Sequence, residues 1–215
     1  AAGDIMYEDT NNDKQINDGA RTITDHGDLK VIGNSTPRFL WGIDLNASWK
    51  GFDIRAFFQG VMKRDAWLGG SWGSLEYYFG ATNSGEWWAT GITAVKDYYR
   101  DANTWSVANG YQKANQDAFL PRATFSNKNE RCQTRYLMNA AYMRLKNFQA
   151  GYTIPRNITT KWGISNMRVF VSIENLFTIT KMPKQFDPEM IGTDSRHSNG
   201  YPLSKTFSFG INVTF

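Results

Sequence analysis

Asp9, Asn11, Asp13 and Gln15 put a side-chain oxygen at every second position, and Asn17 and Asp18 follow at once. This is the 1, 3, 5, 7, 9 spacing with which a calcium loop curls hard oxygen ligands around one cation. Two departures weaken it: Lys14 stands at the sixth position, where glycine eases the turn, and Ala20 at the twelfth, where a bidentate carboxylate closes the shell. Weak Ca2+ binding through Asp9, Asn11, Asp13, Gln15 and Asp18 is the most this loop promises. The competing reading is an Asn/Asp-rich loop held by side-chain turns, with no cofactor at all. The two histidines, His26 and His197, lie in separate polar segments outside any metal-ligand motif. Neither supports nucleophilic or metal catalysis, so the chain is not expected to be an enzyme.

A second group of residues suits binding. Trp67, Trp72, Trp87, Trp88 and Trp105, with Tyr77, Tyr78, Tyr98, Tyr99 and Tyr111, crowd residues 62–140. Flat rings with a polar edge stack on sugar faces or peptide side chains, and they also pack a loop against itself or a partner. The five tryptophans are therefore the candidate substrate or partner contacts. A third group, Asp44, Asp53, Arg55, Arg144, Arg168 and Glu174, falls at alternate positions of apolar runs. The simplest reading of these is wall charges that hydrate an interior or hold a plug.

Five runs with period 2 must carry these residues: about 39–49, 52–61, 142–154, 167–177 and 206–215. Lys50-Gly51 alone separates the first two, a hairpin signal. In the third run the apolar phase changes from Met143 and Leu145 to Phe148, Ala150 and Tyr152, which predicts a β-bulge at Asn147. Trp41, Ile43, Leu45, Ile54, Val169, Val171, Phe209, Ile211 and Val213 should share one face. Asp44, Arg55, Arg168, Glu174, Ser208 and Asn212 should share the other.

Composition narrows the class. Aromatics make up 15% of the chain, favouring β-structure, and a mean hydropathy of −0.51 with no long apolar run excludes a helical membrane protein. Membrane barrels survive this test because their strands alternate. The net charge of +4 is scattered along the chain, so nucleic acid is not an expected partner. Cys132 stands alone, which excludes an internal disulfide or a Cys-based zinc site. Residues 1–13 lack the features of a secretion signal, so any signal is expected upstream.

Connection lengths decide between a soluble sheet and a barrel. They alternate strictly between short and long: two residues, about 79, about 12, then about 28. Short turns at one end and long loops at the other are the habit of outer-membrane barrels, and runs of about 10 residues suit tilted membrane strands. Trp41 and Trp49 would stand about 26 Å apart at roughly 3.3 Å per residue, the spacing of two aromatic girdles. Five strands cannot close a barrel, so the expected fold is all-β, a part of a larger antiparallel transmembrane β-barrel spanning 1–215. Residues 1–38 would be extracellular loop and 62–140 a long extracellular loop.

Particular blocks carry a family resemblance. GDIMYEDTNNDKQIND, the Gly33–Phe39 block GNSTPRF, the Arg144–Asn147 block RLKN, the Glu174–Phe177 block ENLF, FDPEM and YPLSKTFSFGINVTF occur in order. Together they resemble the C-terminal part of SusC/RagA-type TonB-dependent outer-membrane transporters of Bacteroidetes. That resemblance implies a 22-stranded barrel, a plug domain absent from this chain, a SusD-like lipoprotein lid, and energy from the TonB complex. The remainder of the same barrel and outer-membrane lipid would be its other partners, and nutrient import of glycans, oligosaccharides or peptides its function. Two rivals stand beside it: a soluble all-β glycan-binding module using the same aromatics, and a passive porin-like barrel.

Overall fold

The computed structural model describes residues 1–67, 93–124, 127–129, 131–184, 186–191 and 203–215. In chain order the strands are β1 (Arg38–Trp49), β2 (Phe52–Lys63), β3 (Asp65–Ala66), β4 (Met138–Asn139), β5 (Tyr142–Thr153), β6 (Asn166–Thr180) and β7 (Thr206–Thr214). The five long ones form one antiparallel sheet ordered β1-β2-β5-β6-β7, and β3 pairs with β4. Lys50 (φ 47°) and Gly51 (φ 89°) make the β1–β2 hairpin. Both positive angles are what a mirror-image two-residue turn requires.

The register carries the alternation across the whole sheet. Leu45 faces Ala56, then Phe148, Ile173 and Phe207 in one row. The next row on the opposite face is Asn46, Arg55, Gln149, Ser172 and Ser208. The expected division into an apolar and a polar face is thus realised, with Phe57 placed on the polar face opposite Asp44 and Asn147.

The bulge needs a correction of one residue. Asn147 keeps partners on both sides, Phe57 and Glu174, and the unpaired residue of β5 is Lys146. The opposing strand answers with its own irregularity, since Asn175 and Leu176 of β6 stand against Lys146 alone. Asn175 adopts φ 52°, a left-handed conformation that Asn tolerates better than most residues. Past this double irregularity the ladder resumes, so β6 runs to Thr180 instead of Phe177, pairing it with Tyr142. Likewise β2 runs to Lys63 instead of Val61, where it meets Arg38.

Within 62–140 the chain is more structured than a plain loop. It contains β3, β4 and a short helix, α1 (Trp105–Ala108). The connection 154–165 holds a second, α2 (Arg156–Thr159). The chain forms two compact units: 1–33 with 67–137, and 34–66 with 138–215.

The apolar face of the sheet is bare. Trp49, Leu45, Phe209 and Ile211 are 69%, 55%, 85% and 61% exposed. On that face Leu145 is buried, at 5%, and other buried side chains of this unit include Val61, Tyr142, Met182, Phe186, Pro188 and Ile191. The other unit has its own small core around Leu120 and Tyr136, whose hydroxyl donates to the Phe119 carbonyl at 2.9 Å.

Candidate functional site

The polar face of the sheet is where charge is concentrated, and most of that charge is paired. Arg55 meets Asp44 diagonally across the hairpin, Nε to Oδ1 at 3.1 Å and Nη2 to Oδ2 at 2.6 Å. Arg168 reaches Asp53 from β6, Nε to Oδ1 at 2.9 Å, with a second contact from Nη2 to Oδ2. That reach spans β5, and glycine opens the way: a Cβ on Gly151 would fall 2.4 Å from the Arg168 guanidinium. Gly210 does the same for the neighbouring ring of Phe170, 2.2 Å from where its Cβ would be.

The densest cluster sits where β5 begins. Arg144 is 4% exposed at its side chain and binds Asp187 (Nη2 to Oδ1, 2.6 Å), Glu189 (Nη1 to Oε2, 3.0 Å) and the Thr178 hydroxyl (Nε to Oγ1, 2.7 Å). Tyr142 donates to Glu189 Oε1 at 3.0 Å, and Lys146 Nζ reaches Glu189 Oε2 at 2.9 Å. Arg144 and Lys146, two residues apart on β5, converge on the same carboxylate of Glu189. Buried charges survive only when paired and hydrogen-bonded, and this cluster meets that condition. Burial pushes the Asp187 carboxyl up, but Arg144 and the backbone N–H groups of Glu189 and Leu203 outweigh it and hold the group below the usual carboxylate range.

A second buried guanidinium works on the same segment. Arg64, 7% exposed, donates to the carbonyls of Ser35 at 3.1 Å and Ile191 at 2.6 Å. Arg64 and Arg144 thereby fasten 182–191 to the ends of β2 and β5. Sequence reading singled out Arg144 and missed Arg64, Lys146, Asp187 and Glu189. The available signal was the Asp187-Pro188-Glu189 tripeptide, two acids one residue apart beside a buried proline.

The other sequence candidates do not converge. Trp67 is half-buried and Trp105 is 70% exposed, stacked at 5.3 Å on Tyr111. Trp72, Trp87 and Trp88 lie outside the described residues. In the Asp9–Asp18 loop the oxygens face backbone: Asp9 accepts from Lys14 N–H at 2.8 Å, Asn11 from Asp13 N–H at 3.0 Å, and Asp13 from Gln15 N–H at 2.7 Å. Asp18 pairs with Arg21 and Arg131. Among the described residues no three His, Cys, Asp or Glu side chains gather as a metal site. Lys14 does take the left-handed angle, φ 65°, that glycine would supply in a calcium loop. Asp4 gathers Arg122, Lys128 and Asn129 in the same unit, and burial, which pushes it up, is overcome so that its pKa lies far below the usual value.

Comparison with known proteins fits this geometry. No family model matches the chain. It is 31% identical over 201 residues to TonB-dependent receptor P3 of Formosa agariphila, covering 87% of the chain and 17% of the relative. It is 26% identical over 222 residues to TonB-dependent receptor P26 of the same organism, covering 99% and 20%. Structures of the RagAB peptide importer in its open-open and closed-closed states superpose with TM-scores of 0.59 and 0.62, both at 25% identity, over 86% of the chain and 18% of theirs. The sheet is a segment of a SusC/RagA-type barrel. Its resemblance blocks now have positions: RLKN supplies Arg144 and the bulge, ENLF supplies Asn175, and FDPEM supplies Asp187 and Glu189. The SusC/RagA-type segment spans less than a quarter of the length of these relatives.

Proposed function

We propose that the chain forms part of an energy-coupled importer in a bacterial outer membrane, taking up peptides or oligosaccharides by gated binding without covalent chemistry. The observation that carries this is the bare face of alternating Trp, Leu, Ile, Val and Phe, set back to back with a face whose charges neutralise one another. A soluble sandwich would bury the first face against a second sheet. A barrel in lipid leaves it outside and keeps the charges in the lumen. The relatives named TonB-dependent receptors and the RagAB peptide importer support energy coupling and favour peptides as cargo. A SusD-like lipoprotein is the partner that this reading places over the barrel, and exposed aromatics such as Trp105 suit contact with it or with cargo. Uptake of fluorescent oligopeptides and oligosaccharides by cells with and without the full-length gene tests the proposal. Loss of peptide uptake alone is the expected result. Unchanged uptake of both, or fractionation of the protein away from the outer membrane, would refute it.

A further inference from the structure

We propose that the unit formed by 1–33 and 67–137 captures the C-terminal end of a short peptide, its carboxylate on Arg131 and Arg135 and its last aliphatic side chain among Ile5, Ile16, Leu29 and Ile32. This rests on the importer reading and names the part of a peptide that is recognised. The six residues line one open cleft of about 700 Å3, a size usual for small-ligand sites. Apolar groups stay uncovered there: Ile16 is 53% and Leu29 46% exposed, and Ile5 and Ile32 are half-buried. An aliphatic ligand group seated on them gains burial that the fold leaves unused.

The charges of the cleft differ in how fully they are engaged. Asp28 accepts from the N–H groups of Thr10 at 2.8 Å and Asn17 at 2.9 Å, and Glu8 pairs with Lys30. Asp4 answers two cations, Arg122 and Lys128, and Asp18 likewise answers Arg21 and Arg131. Positive charge is therefore in surplus around these two carboxylates. Arg131 gives Nη1 to Asp18 at 2.6 Å and keeps Nη2 uncommitted. Arg135 pairs with no carboxylate among the described residues. Its Nη2 donates to the Ala118 carbonyl at 3.0 Å, and Nε and Nη2 to the Phe119 carbonyl at 3.3 and 3.2 Å, which orients the guanidinium and leaves Nη1 uncommitted. Guanidinium groups already held in place suit a planar carboxylate. The walls are aliphatic, and the one aromatic ring among the lining residues, Tyr7, gives its hydroxyl to the Lys128 carbonyl at 2.6 Å. That favours a peptide end over a sugar, which seeks flat rings to stack on.

The test uses the full-length transporter in neutral detergent, titrated with a fluorescent pentapeptide ending in leucine, its C-terminal amide, the same peptide ending in glycine, and octanoate. The free acid ending in leucine should bind about tenfold more tightly than its amide. Arg131→Gln/Arg135→Gln should lower the acid to the level of the amide and leave the amide unchanged, a pattern that general damage does not produce. Should that variant differ from wild type in its tryptic fragments, Ile16→Asn/Leu29→Asn, at two exposed positions, is measured instead and should erase the preference for leucine over glycine. Equal binding of acid and amide by the wild type, wild-type discrimination in either folded variant, or octanoate binding as tightly as the peptide overturns the site while leaving the importer reading intact. Binding of none of the peptides, together with unchanged peptide uptake on deletion of the gene, refutes both.

Discussion

Arg144 shows how a single side chain can decide a local structure. It is nearly sealed from water and binds two carboxylates and a hydroxyl. Truncating it to Met leaves Asp187 and Glu189 buried with only Lys146 to offset them, so Arg144→Met should cost about 3–5 kcal/mol. Faster proteolysis or hydrogen exchange at 182–191, with the strands still protected, is the expected signature. The same cluster has a defined pH response. The Asp187 carboxyl is depressed in the fold, so its contribution is full above the ordinary aspartate pKa, near 3.9, and is lost as pH falls through the lower folded value. Exchange at 182–191 should therefore rise below about pH 4, and Asp187→Asn should flatten that rise because the titrating group is gone.

At the scale of the strand, alternation is a physical commitment that a single charge can test. Val171 stands on the bare face between Ala150 and Phe209, while Ser172 next to it lies in the polar row with Gln149 and Ser208. Arginine at Val171 should cost roughly 2–4 kcal/mol at mid-bilayer depth, and arginine at Ser172 far less. Urea or heat titration of the folded barrel measures both, and equal losses would contradict the face assignment. The strands were legible in the sequence because period 2 is written in every residue of β7 and in β1 from Trp41 to Trp49. The bulge was legible as a phase change, yet its position was not, since Lys146 and Asn147 are both polar and only pairing tells them apart. The Arg144 cluster was half legible. Its partners Asp187 and Glu189 arrive from a connection with no period to place it, and nothing local in Arg64 distinguishes a buried guanidinium from a surface one.

For the whole molecule, the outer edges of β1 and β7 have no ladder partner among the described residues. Open edges beside a bare apolar face invite association. Expressed by itself in aqueous buffer, the 215-residue chain should sediment as aggregate, and detergent should be needed to recover sheet by circular dichroism. A monodisperse soluble monomer would count against the barrel assignment. The spacing of the strands along the chain also sets a schedule. The β1–β2 hairpin closes through two residues and β5–β6 through 154–165, but joining β2 to β5 requires the span from Arg64 to Ala141. Loop-closure entropy makes that last join about 1–2 kcal/mol costlier than β5–β6 and about 3 kcal/mol costlier than the hairpin. The two flanking groups of strands should thus mature first and the β2–β5 seam last. A stalled or slowly refolding protein would then expose one particular line of amides, from Phe52 to Val61 against Tyr142 to Tyr152, to exchange and to proteases before any other.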